Sequence, residues 1–257
     1  MASLESYDVT RIRAPNPGPL TLSGTNTWVL GRDPAHVVDP GPDLPAHLQA
    51  IGAEVNRRGG LGAIAITHDH LDHREGCARL AARFRPALVG AATGADIILT
   101  DGDRLGPLTV VATPGHAPEH LAFVAGPVCF TGDAVLGEGS VFIAPGPGSL
   151  ADYLNALRRL RELDLSVLCP GHGPPLWDPQ ATLDAYLAHR LEREQALVAA
   201  LAGGGRTVDE LLDAAWGDVA VALRPAAGLT LAAHLDKLAE EGRLPVGVER
   251  PSWPPVQ

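Results

Sequence analysis

The chain has 257 residues and a formal charge of −10, with 46% hydrophobic and 19% charged residues. This length allows one large domain, or one domain with a small addition, and the hydrophobic content is enough for a substantial core. Low charge with ample hydrophobic residues argues against a disordered chain. The acidic balance argues against general binding to nucleic acids or anionic membranes, which requires a basic surface.

The amino terminus and the cysteines carry information about location. The first residues, MASLESYDVTRIR, lack the basic and apolar regions of a signal peptide, and no stretch approaches the roughly 18 uninterrupted apolar residues of a membrane span. The three cysteines, Cys77, Cys129 and Cys169, are irregularly spaced and odd in number, which argues against a disulfide framework. The sequence therefore predicts a soluble, cytoplasmic protein without membrane contacts.

Short strands are predicted to dominate the first part of the chain. Apolar runs between Gly and Pro turns indicate strands, and apolar residues at helical spacing indicate helices. In chain order the predicted elements are strands within Asn16–Gly31 and Ala35–Pro42, a helix within Leu44–Gly60 that ends at a glycine pair, a buried strand over Leu61–Thr67, a helix over Cys77–Phe84 and a strand over Ala87–Ala91.

The middle of the chain continues this alternation. A strand over Leu108–Gly115 leads into a turn, and a hairpin is predicted within Leu121–Asp133. An amphipathic helix is predicted over Leu150–Leu163, followed by a strand that runs into a loop over Leu165–Pro175. Strands with interspersed helices indicate a layered α/β or α+β domain.

The pattern changes towards the carboxyl end. A long helical pattern over Pro179–Gly205 closes with three glycines, and two further helices, within Thr207–Gly217 and Leu229–Leu244, precede a β-like turn. This change predicts a boundary near Gly203–Arg206. The predicted domains are residues 1–203 and residues 204–257.

Histidines and aspartates with metal-ligand spacing stand near the ends of several predicted strands. The segment THDHLDH contains an H-x-H-x-D-H pattern, and PGHAPEH, FTGD and PGHGPP each add a further ligand. Imidazole and carboxylate suit Zn²⁺ or a similar divalent metal. Seven ligands are too many for one tetrahedral ion but suit two ions that share a bridging carboxylate. The candidate metal ligands are His68, His70, Asp72, His73, His116, Asp133 and His172.

These motifs resemble the signature of the metallo-β-lactamase superfamily of binuclear metallohydrolases. The resemblance implies an α+β fold, in the form of a four-layer αββα sandwich. It also implies how the ligands divide: His68, His70 and His116 around one metal, Asp72, His73 and His172 around the other, and Asp133 between them. Two Zn²⁺ ions are the expected cofactors, with Mn²⁺ or Fe as alternatives.

Segments outside the ligand motifs, among them NPGPLTLSGTNTWVLG and GDAVLGEGSVF, resemble the beta-lactamase-like protein 2 group of that superfamily. This resemblance covers nearly the whole chain and implies a winged-helix domain at its carboxyl end. Animal members of the group are described as single-strand-specific endoribonucleases, and some fungal relatives as thioesterases that act on carrier-bound polyketides. The substrate therefore does not follow from the fold.

The implied mechanism is attack by a metal-bridging hydroxide on a carbonyl carbon or a phosphorus atom. Asp72 is a candidate catalytic residue that orients this nucleophile. His120 is the candidate leaving-group acid, with support of the metal loop as the alternative role. Asn26, Thr27 and Ser140 are candidate substrate-binding residues, and a turn-capping role is equally open for Asn26.

Three functions remain open on these grounds. The chain is a metal-dependent endoribonuclease that cleaves single-stranded RNA, a thioesterase or other acyl-ester or lactone hydrolase, or a non-catalytic winged-helix protein that senses metal and binds DNA. Residues 203–257 carry five basic and eight acidic side chains, which argues against strong binding to duplex DNA. We expect this segment to pack against the hydrolase domain and close one side of its groove, or to form a homodimer contact.

Overall fold

A computed structural model describes residues 3–85, 88–91, 96–146 and 148–251. After a 3₁₀ turn at Leu4–Tyr7, the first elements are β1 (Val9–Arg13), β2 (Asn26–Leu30), β3 (Ala35–Val38), α1 (Pro45–Arg57), β4 (Leu61–Ala65), α2 (Leu71–Arg74), α3 (Cys77–Arg83), β5 (Leu88–Ala91), β6 (Ile97–Ile98) and β7 (Arg104–Leu105). They are followed by β8 (Leu108–Ala112), β9 (Leu121–Ala125), β10 (Val128–Gly132), α4 (Ser149–Arg161), β11 (Val167–Pro170), α5 (Pro179–Ala202), α6 (Val208–Trp216), a second 3₁₀ turn at Val221–Leu223, and α7 (Arg224–Glu240).

The strands form two sheets in the described part of the chain. The first has the order β1-β2-β3-β4-β5-β6, antiparallel from β1 to β3 and parallel from β3 onwards. The second has the order β11-β10-β9-β8-β7, in which only the β10–β11 pair is parallel. Two mixed sheets with helices confirm the predicted α+β class.

The sheets pack face to face, with helices on both outer sides. Trp28 of β2 and Phe130 of β10 meet between the sheets, with ring centroids 6.1 Å apart. On the outer side of the first sheet, Ile51 and Val55 of α1 pack with β3 and β4. On the outer side of the second sheet, Leu157 of α4 packs with β9 and β10. This arrangement gives the four layers of an αββα sandwich.

The structure corrects the predicted elements in several places. Within Asn16–Gly31 only β2 is a strand, because the residues before it form turns with two isolated bridges, from Gly18 to Leu22 and from Thr25 to His172. Strand β1 has no counterpart in the prediction, since two arginines in five residues hide its alternation. β6 and β7 have two residues each, too few for a pattern. Of the strand predicted over Ala87–Ala91, Ala87 lies outside the described residues.

The carboxyl-terminal helices form a core of their own. Leu201 of α5 packs there with Leu211 and Trp216 of α6 and with Leu235 of α7. A capping box, in which Thr207 accepts from the Glu210 amide, begins α6. After α7 the described chain continues to residue 251 through turns, without a regular strand.

This helical unit contacts the sandwich directly. The amide of Ile143 donates to Thr230 Oγ1 at 3.2 Å, and that of Gly146 donates to Asp236 Oδ2 at 3.1 Å. The predicted packing of this segment against the hydrolase domain is therefore present. The boundary at residue 203 stays a prediction. None of the helices in the described ranges combines the length and apolar character that crossing a bilayer requires.

Candidate metal centre

The candidate ligands lie where strands of the two sheets end, so a rigid scaffold positions them. His70 and Asp72 are partly exposed, whereas the other five side chains are buried. Solvent therefore reaches the centre on the side of these two residues. In chain order, His68 and His70 follow β4, Asp72 and His73 lie in the single turn of α2, His116 follows β8, Asp133 follows β10 and His172 follows β11.

The first group consists of three histidines whose ring nitrogens converge. Nδ1 of His70 lies 3.0 Å from Nε2 of His68 and 3.2 Å from Nε2 of His116. One nitrogen from each ring lies within 4.8 Å of the others. Three imidazoles around one divalent ion leave a position open for water or substrate, as catalytic zinc sites do.

The second group joins the first through a carboxylate. Nε2 of His172 lies 3.3 Å from Nε2 of His73 and 3.3 Å from Oδ2 of Asp72. Asp133 faces both groups, because its Oδ1 is 3.5 Å from Nε2 of His73 and its Oδ2 is 3.7 Å from Nε2 of His116. This position supports Asp133 as the bridging ligand.

Two further observations fit a pair of bound cations. Oδ1 of Asp133 is buried without a hydrogen-bond partner among the described residues, and a buried unsatisfied acceptor is costly unless something binds it. Gly171 leaves the space clear, because a Cβ there would lie 2.5 Å from Asp133 Oδ1 and 2.6 Å from His73 Cε1. The donor set and this clearance fit two divalent metal ions.

Burial and nearby carboxylates shift the pKa values of the ligand histidines in different directions. Burial lowers the pKa of His116 to about 4. Burial also lowers the pKa of His68 well below its usual value, so both imidazoles are neutral and offer lone pairs. Burial acts in the same direction on His172, but Asp133 and then Asp72 outweigh it and raise that pKa to about 10. The carboxylates thus favour a positive charge beside them, and a bound metal cation would provide it.

Neighbouring acceptors hold the ligand rings in place. Nδ1 of His73 donates to Oδ2 of Asp39 at 2.8 Å, and the same oxygen accepts from Oγ1 of Thr67 at 2.7 Å. Nδ1 of His116 donates to the carbonyl oxygen of Phe142 at 3.1 Å. Both rings therefore direct Nε2 towards the centre, as ligand histidines do when their other nitrogen is bonded.

Two residues of this arrangement are absent from the sequence prediction. Asp39 follows β3 in VVDPG, so the strand-end rule that indicates Asp133 also applies to it. Thr25 donates to Oδ2 of Asp72 at 3.0 Å. No motif marks this threonine, because its contact joins segments 47 residues apart.

The structure corrects the prediction that Asn26 and Thr27 bind substrate. Both side chains are fully buried. Nδ2 of Asn26 donates to the carbonyl oxygens of Pro170 and Gly173, at 2.9 and 2.8 Å. These bonds anchor both sides of the loop that carries His172, so Asn26 is a positioning residue in a strand rather than a turn cap. Oγ1 of Thr27 lies 3.0 Å from the His47 ring.

His120 is engaged on both sides of its ring. Its Nε2 accepts from the amide of Asp133 at 3.0 Å, and its Nδ1 lies 2.8 Å from Oγ1 of Thr113. Because Nε2 accepts a hydrogen bond, the neutral ring carries its proton on Nδ1 and donates it in a hydrogen bond to Oγ1 of Thr113. With a side chain that is almost fully buried, this arrangement favours the supporting role over the leaving-group acid.

A cavity of about 200 Å³ opens beside the centre and has His116 and Asp133 in its wall. The remaining walls are largely apolar and come from distant parts of the chain. They include Leu20 before β2, Trp216 at the end of α6 and Leu223 before α7. The carboxyl-terminal unit therefore closes one side of the groove, as expected from the sequence.

Ser140, a candidate substrate-binding residue, lines this cavity and is exposed. Its hydroxyl accepts a hydrogen bond from Nη2 of Arg190 at 2.9 Å. Contact of Ser140 with substrate stays a prediction.

Comparison with protein families agrees with the fold. Residues 82–172 match the metallo-beta-lactamase superfamily, and residues 207–246 match the beta-lactamase associated winged helix domain. The chain belongs to the metallo-beta-lactamase superfamily and is a hydrolase. It carries the winged helix that a part of that superfamily shares.

Individual proteins are similar over most of the chain. An atrochrysone carboxyl ACP thioesterase from Aspergillus chevalieri is 33% identical over 82% of this chain and 74% of its own length. A beta-lactamase-like protein 2 homolog from Caenorhabditis elegans is 29% identical over 91% and 85%, respectively. The crystal structure of a metallo-beta-lactamase family protein from Thermus thermophilus has a TM-score of 0.75 at 25% identity, over 91% of this chain and 94% of that one.

Proposed function

We propose that the chain is a binuclear, zinc-dependent thioesterase that hydrolyses acyl thioesters with a largely apolar acyl group. The observation that carries this proposal is the cavity of about 200 Å³ that joins His116 and Asp133 to apolar walls. Largely apolar walls suit an acyl chain better than the charged backbone of a polynucleotide.

Similar proteins also support a thioester rather than a nucleic acid as the substrate. The thioesterase from Aspergillus chevalieri is 33% identical to this chain over 235 aligned residues, and its name describes cleavage of an acyl group from a carrier protein. The segment that forms the outer wall of the cavity has five basic and eight acidic residues between positions 203 and 257. Such a segment attracts a polyanion weakly, so RNA and duplex DNA are the less favoured partners.

Metal ions in the two groups would polarise the thioester carbonyl and activate the attacking water. In the net reaction, water adds to the carbonyl carbon, the carbon–sulfur bond breaks, and a carboxylate, a thiol and one proton are released. Asp72 keeps 28% of its side chain exposed while Thr25 donates to it. It is therefore available to accept a hydrogen bond from the water and to orient it.

Zinc is the metal that we propose, because neutral imidazole with carboxylate suits it. Manganese and iron are the alternatives, and elemental analysis of protein purified without added metal distinguishes the three. Protein prepared in rich medium should contain about two zinc ions per chain. Cytoplasmic location is proposed with this function and is checked by fractionation of the source cells.

The function is tested with a substrate panel. Metal-loaded enzyme is offered acyl thioesters, lactones, single-stranded RNA and bis(p-nitrophenyl) phosphate, alongside the Asp133→Ala variant. The matched control is Asp164→Ala, since Asp164 is exposed and far from the strand ends that form the centre. Thioester turnover by wild type and Asp164→Ala, lost together with metal in Asp133→Ala, is the expected result. Chelator-sensitive RNA cleavage without thioester turnover would overturn the proposal.

A further inference from the structure

Arg190 of α5 is an unusual component of the cavity wall. Its side chain is 2% exposed, and it is one of the largest fully buried side chains in the described part of the protein. Its Nη2 donates to Ser140 Oγ and to the carbonyl oxygen of Val141, and its guanidinium lies 5.4 Å from the centre of the Tyr153 ring. Its Nε is buried without a hydrogen-bond partner among the described residues.

A second buried arginine, Arg58, has the carboxylate partners that Arg190 lacks in the described part of the chain. Arg58 is similarly buried, but its Nε donates to Glu54 at 2.5 Å and its Nη1 lies 3.1 Å from Asp8. Among the residues that the structure describes, no carboxylate stands within ion-pair distance of Arg190. Guanidinium groups remain protonated in proteins, and a buried charge without a counter-ion is costly.

The charged residues that follow Arg190 on α5 are already engaged with other partners. Arg193 lines the same cavity and is paired with the exposed Asp218 at 2.6 Å. Glu194, the acid one helical turn beyond Arg190, is already bonded to Lys237 at 2.9 Å. Burial, and next the charge of Arg190, lowers the pKa of His234 to about 3. An anionic group of a ligand would therefore supply the counter-ion that Arg190 lacks within the described ranges.

The anion site is connected to the metal centre through a short segment. Arg190 donates to Val141, and the next residue, Phe142, accepts from Nδ1 of His116. The cavity is lined both by His116 and Asp133 of the metal centre and by Arg190. Apolar side chains such as Leu20 and Leu223 also line it.

We infer that the substrate is a dicarboxylic acyl thioester, with a carboxylate that pairs with Arg190, a scissile carbonyl at the metal centre and an apolar spacer between them. This inference rests on the proposed thioesterase function. The source of the anion is the acyl group itself, because Arg190 lines the same largely apolar cavity as His116 and Asp133 of the metal centre. Arg190 is then the residue that selects acyl groups with an anionic end.

The test compares two acyl groups of equal length. Thioesters of N-acetylcysteamine, a neutral thiol, are prepared with adipoyl and hexanoyl groups, which differ in the terminal carboxylate. Wild type should prefer the adipoyl ester. In Arg190→Gln the kcat/KM for the adipoyl ester should fall about 100-fold through KM, since the partner of a buried charge is lost, while the hexanoyl value changes less than about threefold. Arg190→Lys, which keeps the charge, should recover part of the preference.

Arg161→Gln serves as the matched control, because Arg161 lies outside the cavity wall and its charge already has a carboxylate partner in Asp184. It should leave the adipoyl-to-hexanoyl ratio unchanged. A merely structural Arg190 would lower turnover of both esters equally, which overturns the inference. Preference of wild type for the hexanoyl ester overturns it as well, even where Arg190→Gln does not fold.

Binding separates failure of the inference from failure of the proposed function. The ketone analogues, in which a methylene group replaces the thioester sulfur, cannot be hydrolysed, and calorimetry measures their binding to metal-loaded protein. If no thioester is turned over, the proposed function fails, yet tighter binding of the adipoyl ketone than of the hexanoyl ketone still supports the anion site. Equal binding of the two ketones refutes it. Loss of RNA cleavage in Arg190→Gln, with thioester turnover unchanged, also refutes it.

Discussion

The metal centre and the cavity beside it share His116 and Asp133 but are built in different ways. Strand ends of the sandwich and the short helix α2 after β4 present the candidate ligands, and acceptors such as Asp39 fix the ligand rings. The cavity takes its outer wall from the carboxyl-terminal helices, which have a hydrophobic cluster of their own. Metal binding therefore depends on the sheets, whereas substrate fit depends on how the helices pack. The two regions should respond to different substitutions.

The largest effect is expected inside the metal centre. In Gly171→Ala the new methyl group would stand about where Asp133 Oδ1 and His73 approach, at 2.5 and 2.6 Å. We expect loss of bound metal and a fall in kcat of about 100-fold, because displacements on the order of 1 Å have effects of that size. Elemental analysis and steady-state kinetics measure both. Gly203→Ala, where the nearest atoms are 3.4 Å from the new Cβ, should behave as wild type; normal metal content in Gly171→Ala would contradict the assigned site.

A smaller effect is expected for residues that orient the metal ligands through hydrogen bonds. Asp39→Asn replaces the carboxylate that accepts from His73 Nδ1, and such partners of ligand histidines contribute about 10–100-fold to metal affinity. Competition with a chelator measures the change. Asp43 is a nearby carboxylate that pairs with Arg79 at the surface, so the metal affinity of Asp43→Asn should stay within about twofold of the wild-type value. An unchanged affinity in Asp39→Asn would show that the ring orientation is fixed by other contacts.

A substitution in the cavity wall should lower substrate turnover without changing metal binding. Leu223→Ala removes part of the apolar wall, so kcat/KM for a hexanoyl thioester should fall about tenfold, the effect of one or two methylene contacts. Metal content should not change. Leu191→Ala, at an exposed leucine of α5 outside the cavity wall, is the control for loss of a leucine near the helices. Loss of metal in Leu223→Ala would mean that the helices also hold the centre.

The smallest effect concerns the sandwich away from both sites. A hydrogen bond from Arg57 and then one from Arg58, opposed by burial, lower the pKa of Glu54 to about 2. The stabilisation is therefore fully present above the unfolded pKa near 4.5 and is lost as the pH falls towards 2. Glu54→Gln should reduce the free energy of unfolding by about 1 kcal/mol at pH 6, and by less at pH 3. Urea titrations at both pH values measure this, and a difference that grows at pH 3 would contradict it.

The sequence contains much of the metal centre but little of the cavity. Ligand residues are recognisable because their chemistry is rare and their spacing is local, as in the H-x-H-x-D-H segment. Helix α1 is recognisable for a similar reason, since Leu48, Ile51 and Val55 share a face and two glycines follow the helix. Both signals lie within one stretch of chain.

The cavity residues have no comparable signal. Arg190 lies in a long helical pattern, and only the packing of α5 with α4 and the segment at Val141 makes it a buried cation beside the centre. Asn26 was misassigned for the same reason, because its partners Pro170 and Gly173 are more than 140 residues away. A single sequence carries the residue types of such contacts but not their pairing.

The separate hydrophobic cluster of α5, α6 and α7 has a consequence for divergence within the superfamily. Substitutions at Trp216, Leu223 or Ala227 change the outer wall of the cavity, while the clusters that align the sheets contain none of these residues. Specificity can then drift in descendants, or be redesigned in the laboratory, without the hydrolytic apparatus being rebuilt. Under the proposed function, the carboxyl-terminal segment would shape the part of the cavity that receives the acyl group.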